Sequence, residues 1–302
     1  MVVHMNTTRK KNKIFSYKSI IHMIFCGASF FAIVPFILLV VISFSYEDDV
    51  LTKGYLLFPQ RVTTDAYRFI FRNIGALLQA YKITIIYAVF GTLIGMVVMA
   101  MIGYALSRDN FVLKKPITVI LLITMFFSGG LIPSYLLHTQ ILHLGNNILL
   151  YLVSGMVGAY TVFVLKSFFQ QIPKSLIEAA QIDGASEPVI LCRIMVPLSL
   201  PVLATFGFMG LVQRWNDFTV PMYYMTDPNL YTLQYMLQNV LNEAEYLKEL
   251  QKNMPTLFQS TSIPSETMKF AMCVLASGPM LVVFPFFQKY FSKGMIVGAV
   301  KG

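Results

Sequence analysis

Hydrophobic residues along this chain fall into long runs that are apolar on every side, separated by polar stretches. Six runs stand out, at about 20 to 45, 80 to 106, 117 to 137, 148 to 169, 200 to 225 and 269 to 291. About 20 apolar residues wound as a helix cross a hydrocarbon layer roughly 30 Å thick, so each run predicts one membrane-spanning helix. A transmembrane barrel is excluded, because its strands alternate apolar and polar at every second residue. The expected fold is all-α with six transmembrane helices. The first run follows the basic stretch Arg9 to Lys13, leads into Ser43 to Asp49 and lacks a small-residue cleavage pattern, so it is read as a retained span.

Composition strengthens this picture. Of 302 residues, 56% are hydrophobic and 12% charged, with a mean hydropathy of +0.66, more than a soluble domain of this length can bury. Charge then sets orientation. Six crossings put both termini on one side, and fourteen of the twenty-three Lys and Arg lie there, among them Arg9, Lys10, Arg108, Lys114, Lys174 and Arg193. Basic loops face the cytoplasm, so both termini are expected inside a plasma or inner membrane. The +9 net charge is a topology signal drawn toward membrane lipid, and no compact basic domain is present to grip nucleic acid.

Candidate chemistry is sparse. The chain has no Walker-type phosphate loop, zinc-protease, nucleophile-elbow or dinucleotide motif. His138 and His143 do not share a helical face, so no metal is expected. Cys26, Cys192 and Cys273 are far apart in apolar settings and read as packing residues without a disulfide framework. An enzyme is not expected. The long segment between the fifth and sixth runs holds Leu233, Met236, Leu237, Val240 and Leu241 at helical spacing, which predicts an amphipathic, docked outer helix.

The most informative polar segment is "IEAAQIDGASEPVILCRIMVP", from Ile177 to Pro197. Pro173 suits a helix start, Glu178 to Ala180 favour helix, and Asp183-Gly184 ends it because glycine adopts a left-handed conformation at no steric cost. Ser186 is placed to cap a second helix with Pro188 in its first turn. The segment spans roughly thirty residues where connections run about 2 to 8. Two readings follow: a rigid docking surface on the cytoplasmic side, or an elbow lying on the membrane.

The same residues resemble the EAA loop of ATP-binding cassette importer permeases. Glu178, Ala179, Ala180, Gly184, Ile194 and Pro197 fall on that pattern in register, with Val196 in place of a leucine. "GYALSR" at 103 to 108, "GGLIPSYLL" at 129 to 137, "RWNDF" at 214 to 218 and the terminal "GAVKG" resemble the carbohydrate branch, which includes the smaller maltose-importer subunit and the lipoprotein permease C type. The resemblance implies a type I importer permease for oligosaccharides. It also implies a second permease in a heterodimer, two cytosolic ATPases that use ATP and Mg, and an extracellular solute-binding protein, with no cofactor held by this chain. Carried over, Glu178, Ala179, Ala180, Asp183, Gly184, Ile194 and Pro197 couple to the ATPases, Glu178 pairing with an arginine there. The tail "SKGMIVGAVKG" is a secondary contact candidate.

Two spans carry further candidates. Arg214 and Asp217, three apart, share a helical face and are expected to pair; alternatively Trp215, Asn216 and Asp217 line the translocation path. In the third run Gly129, Gly130 and Pro133 predict a kink for packing or a gate, with Tyr135 beside it. The expected organisation is a cytoplasmic tail at 1–19, a permease domain at 20–291 containing a coupling loop at 170–199 and an outer loop at 226–268, and a cytoplasmic tail at 292–302. A self-sufficient secondary transporter or a membrane anchor are the rival classes. No paired broken helices of inverted repeats favour the former.

Overall fold

The computed structural model describes residues 11–253 and 264–299, and among them it is helical with a single isolated bridge between Ser45 and Val62 and no strand. Residues 254–263 of the expected outer loop, and 1–10 and 300–302 of the two expected tails, lie outside the described residues.

Among the described residues, three helical stretches are long and apolar enough to cross a membrane: Ser19–Ser43, Asp65–Ser107 and Ser265–Gln288. A fourth qualifies as a bent pair, Glu187–Leu198 with Leu200–Trp215, whose arms meet at 85°. The third and fourth expected runs are each interrupted. Helix Lys114–Phe126 stops before Phe127 and restarts as Leu131–Leu136, while Leu149–Val153 and Ala159–Gln171 are separated by Ser154 to Gly158. Gly130 (φ +86°) and Gly155 (φ +63°) hold left-handed backbone at these breaks, where a side chain would be strained. Pro133, expected to kink the third span, instead sits in the first turn of Leu131–Leu136, where its missing N–H costs nothing. The glycines make the break.

The chain divides into two compact units, residues 1–72 with 241–275, and 73–240 with 276–302. In the first, none of the apolar window of Ser19–Ser43 is buried by the chain, and Met23, Phe25 and Phe31 stand outward as a lipid-facing or subunit-facing surface does. The buried carboxylate of Glu47 caps the start of the Ser265 helix, accepting from the backbone N–H groups of Glu266 and Thr267.

In the second unit, Thr92–Ser107 packs along Ala159–Gln171. Their close approach depends on Gly103, where an added Cβ would stand 3.1 Å from Leu165 Cβ and 3.3 Å from Val162 O. Met99, Tyr104, Val162, Leu165 and Phe169 form this core, and Ile177, Ile190 and Met195 extend it into the long polar segment between the fourth and fifth runs. That segment is thus seated in the core of the unit.

The expected amphipathic helix is present as Leu233–Asn253, with Leu233, Leu237 and Ala244 buried. Cys26, Cys192 and Cys273 form no disulfide, but all three are exposed. The expectation that they pack inside is therefore corrected: an apolar neighbourhood in a membrane protein is as often its lipid-facing surface as its core.

Candidate functional site

The segment from Pro173 to Leu198 folds as two helical arms. Pro173 occupies the N-cap position of Lys174–Ile182. The C-terminus closes with Ala185 N–H donating to Ala180 O at 2.9 Å and Gly184 N–H to Gln181 O at 3.0 Å, the paired bonds of a Schellman motif. Gly184 has φ +76°, as expected of the glycine after Asp183. The second arm begins at Glu187 with Pro188 in its first turn, passes through Leu191–Met195 wound as a π-helix, and ends with Val196–Leu198. Ser186 stands at the N-cap position but its hydroxyl makes no capping bond; its carbonyl alone accepts, from Ile190 N–H at 3.0 Å.

Burial sorts the expected coupling residues. Ile177 is 5% exposed and faces the core, with Ala180 and Ile194 partly buried against the same cluster. Glu178, Ala179, Asp183, Gly184 and Pro197 are exposed. Glu178 and Ile182 lie four apart on the first arm, a spacing that puts them on one face, and Ile182 is 86% exposed. A carboxylate beside an uncovered isoleucine is a surface suited to a partner.

Charge holds this segment to the short loop after Ser107. Asp109 forms ion pairs with Lys174 (2.5 Å) and Lys114 (3.5 Å). The Lys174 ammonium, by hydrogen bond and charge, holds the Asp109 carboxyl below the usual carboxylate range, and Asp109 in turn raises Lys174. Glu187 accepts from Tyr104 Oη, from Gln181 Nε2 at 3.1 Å and from Arg108 Nη2 at 3.4 Å. From the sequence, Tyr104 and Arg108 stood out only within "GYALSR" and the charge count, and Gln181 and Glu187 only within the quoted polar segment; none was given this role. Glu187 offered one local signal, an acid in a helix first turn, which ordinarily reads as a dipole partner.

The polar residues of the fifth and third apolar runs are arranged differently from expectation. Arg214 and Asp217 do not pair, because the helix ends at Trp215 and Asp217 leaves the face it was assigned. Asp217 instead accepts from Tyr87 Oη (2.7 Å), Thr219 N–H (2.7 Å) and Val220 N–H (3.2 Å). Arg214 is 7% exposed, and its Nη2 donates to Gly155 O at 3.0 Å. Three glycines make room for it: a Cβ on Gly91 would stand 3.0 Å from Nε, on Gly210 3.3 Å from Nη1 and on Gly95 3.4 Å from Nη2.

Trp215 is 4% exposed and its indole N–H donates to Ala276 O at 2.8 Å, so in this packing it presents no open face to a path. Asn216 is exposed and bridges Val212 O and Gln234. Gly129 and Gly130 lie in the exposed break of the third run. Tyr135 beyond it stacks on Tyr224 at 5.6 Å, and His138 meets the same ring edge-on at 5.5 Å.

The chain resembles transport proteins throughout its length. It is 33% identical over 270 residues to the polygalacturonan/rhamnogalacturonan transport system permease protein YtcP of Bacillus subtilis (strain 168), covering 89% of this chain and 93% of that protein. It is 32% identical over 300 residues to protein LplC of the same organism, covering 99% of each. Its fold matches a chain in the crystal structure of a bacterial ABC transporter involved in the import of the acidic polysaccharide alginate, with a TM-score of 0.76 and 26% identity, over 95% of this chain and all of that one. The pattern of the family described as binding-protein-dependent transport system inner membrane component spans residues 12–297. Relatives, fold and pattern agree that the chain belongs to that family and is a membrane-embedded permease subunit of an ABC importer rather than an enzyme.

Proposed function

We propose that this chain is one of two permeases forming the translocation path of an oligosaccharide importer, crossing the membrane six times with both termini in the cytoplasm. Residues 1–19 and 292–302 are its cytoplasmic tails and 20–291 the permease body. An importer of this family works with ATPases and a binding protein; here two ATPases seat on the loop at 170–199, and the outer loop at 226–268 meets the binding protein. The observation that carries the reading is the two-armed segment itself, anchored by Ile177 and Ile190 and presenting Glu178 with Ile182 outward. Glu178 makes an ion pair in the ATPase cleft. Asp183 and Gly184 set the turn, Ala179 and Ala180 allow close approach, and Ile194 and Pro197 fix the second arm. ATP and Mg belong to the partner subunits.

Two of the proteins named above serve polygalacturonan/rhamnogalacturonan transport and the import of alginate, which supports acidic oligosaccharides as the first substrate class to test. Asn216, Asp217, Gly129, Gly130 and Tyr135 are the candidate path residues, with the Tyr135–Tyr224 stack offering an aromatic face suited to a sugar ring. Trp215 joins them only in a state where it leaves its present packing. Reconstitution with the co-purifying partners, with sugar uptake measured with and without ATP, tests the proposal. Uptake must require ATP and must fall in Glu178→Ala; ATP-independent uptake overturns it in favour of a secondary transporter.

A further inference from the structure

Two cavities meet at one pair of residues. A polar cleft of about 760 Å³ lies beside the first arm, lined by Arg108, Asp109, Lys174, Glu178 and Gln181 among others. An apolar groove of about 930 Å³ runs between Thr92–Ser107 and Leu200–Trp215, lined by Met96, Ala100, Leu203 and Gly207 and reaching Cys192. Tyr104 and Glu187 line both cavities, and among the described residues no other does. Their side chains are hydrogen-bonded to each other, so the contact is the wall between cleft and groove.

The two halves of this wall differ in freedom. Tyr104 is 6% exposed and meets Phe169 edge-on at 6.3 Å, so its body is part of the core. The Glu187 side chain is 51% exposed and accepts hydrogen bonds from three side chains. One of these comes from Gln181 on the arm that carries Glu178, and another from Arg108 just beyond the Tyr104 helix. A carboxylate has about four lone-pair sites, and here donors from three separate places converge on one. A shift of the far end of the first arm, beyond its anchor at Ile177, must therefore pull on Glu187 through Gln181.

We propose that the Tyr104–Glu187 contact is a latch on the cytoplasmic side of the path: closed, it separates cleft from groove, and displacement of the Lys174–Ile182 arm opens it and joins them. This rests on the reading that the arm receives the ATPase stroke. Glu187 is a positioning residue in that scheme and touches neither ATP nor sugar. The Asp109–Lys174 pair ties the start of the same arm to the loop after Ser107, so the arm pivots about its beginning and its far end, where Gln181 sits, moves most.

The test uses the complete reconstituted transporter with the exposed Cys26, Cys192 and Cys273 of this chain replaced by serine and Ala100→Cys as reporter, a position that lines the groove and is 6% exposed. A charged maleimide is added from the cytoplasmic side and labelling is read on the peptide bearing position 100. Tyr104→Phe and Glu187→Gln should each speed resting labelling by about fivefold, the worth of one hydrogen bond. They should also lower sugar moved per ATP hydrolysed while the ATPases still co-purify. Unchanged labelling and an unchanged sugar-to-ATP ratio in both variants overturns the latch, as does loss of the ATPases in both, which marks a merely structural contact. Glu178→Ala separates the two ideas: full ATP-driven transport in that variant sinks the coupling reading, whatever the labelling at position 100 shows.

Discussion

Glu47 holds Thr267 by two bonds at once: its Oε2 accepts from the Thr267 backbone N–H at 2.9 Å and from the Thr267 hydroxyl at 2.8 Å. Its other oxygen takes Glu266 N–H at 2.8 Å. An acid 220 residues away in sequence thus does what a local capping residue usually does. Glu47→Ala leaves buried N–H groups without an acceptor and should cost about 2 to 3 kcal/mol, with Glu47→Gln intermediate because an amide oxygen still accepts. Thermal unfolding of the purified chain in detergent reads this order directly.

The glycines around Arg214 make a second prediction. Gly95→Ala puts a Cβ 3.0 Å from the backbone oxygen of Met156, which cannot step aside as a side chain can, and should destabilise by about 1 to 3 kcal/mol. Gly207→Ala, with nothing within 4 Å of its Cβ, should be neutral or gain up to about 1 kcal/mol from helix propensity. Melting temperatures of the two variants against the parent decide it.

Gly184 tests the turn between the arms. At φ +76° with open space around it, replacement by alanine should cost about 1 to 2 kcal/mol from backbone strain alone. Gly184→Asn should cost less, because asparagine tolerates left-handed backbone. The variants should follow the same order in retention of ATPases on co-purification; equal retention by both speaks against a role for this conformation in docking.

Asp49 supplies the pH prediction. Hydrogen bonds from Arg61 and then Lys53 depress its carboxyl from 3.8 to about 2. A depressed acid contributes stability that is complete above its unfolded value and is lost as pH falls from about 4 toward 2, so neutral conditions show no dependence from this group. In Arg61→Ala the titration of Asp49, followed by NMR of the carboxyl carbon, should move back upward toward 3.8.

What was legible in the sequence was local. Proline before Lys174, glycine after Asp183 and proline after Glu187 each act on their own few bonds, and the two-armed segment came out as they dictate. Arg214 and Asp217 show how the same reasoning fails: a spacing of three implies a shared face only where the helix continues, and it stops at Trp215. Hydropathy located the apolar runs but was blind to breaks within them, since Gly130 and Ser154-Gly155 barely lower an average while changing the backbone completely. The contacts of Glu187 lay furthest out of reach. Tyr104 and Arg108 are 83 and 79 residues distant, and only the packing of Ala159–Gln171 against their helix brings them near.

The right-angle elbow at Ser199 has a mechanical meaning of its own. Ser199 is 3% exposed, its N–H reaches Met195 O and Val196 O, and its carbonyl accepts from Leu203 N–H, so the corner is bonded on both sides and behaves as a bracket rather than a joint. Because the arms meet at 85°, almost none of a push along Glu187–Leu198 arrives as sliding of Leu200–Trp215 along its own axis. It arrives as tilt. A small thrust along Glu187–Leu198 is thereby turned into a sideways swing of the helix that carries Arg214 at its far end.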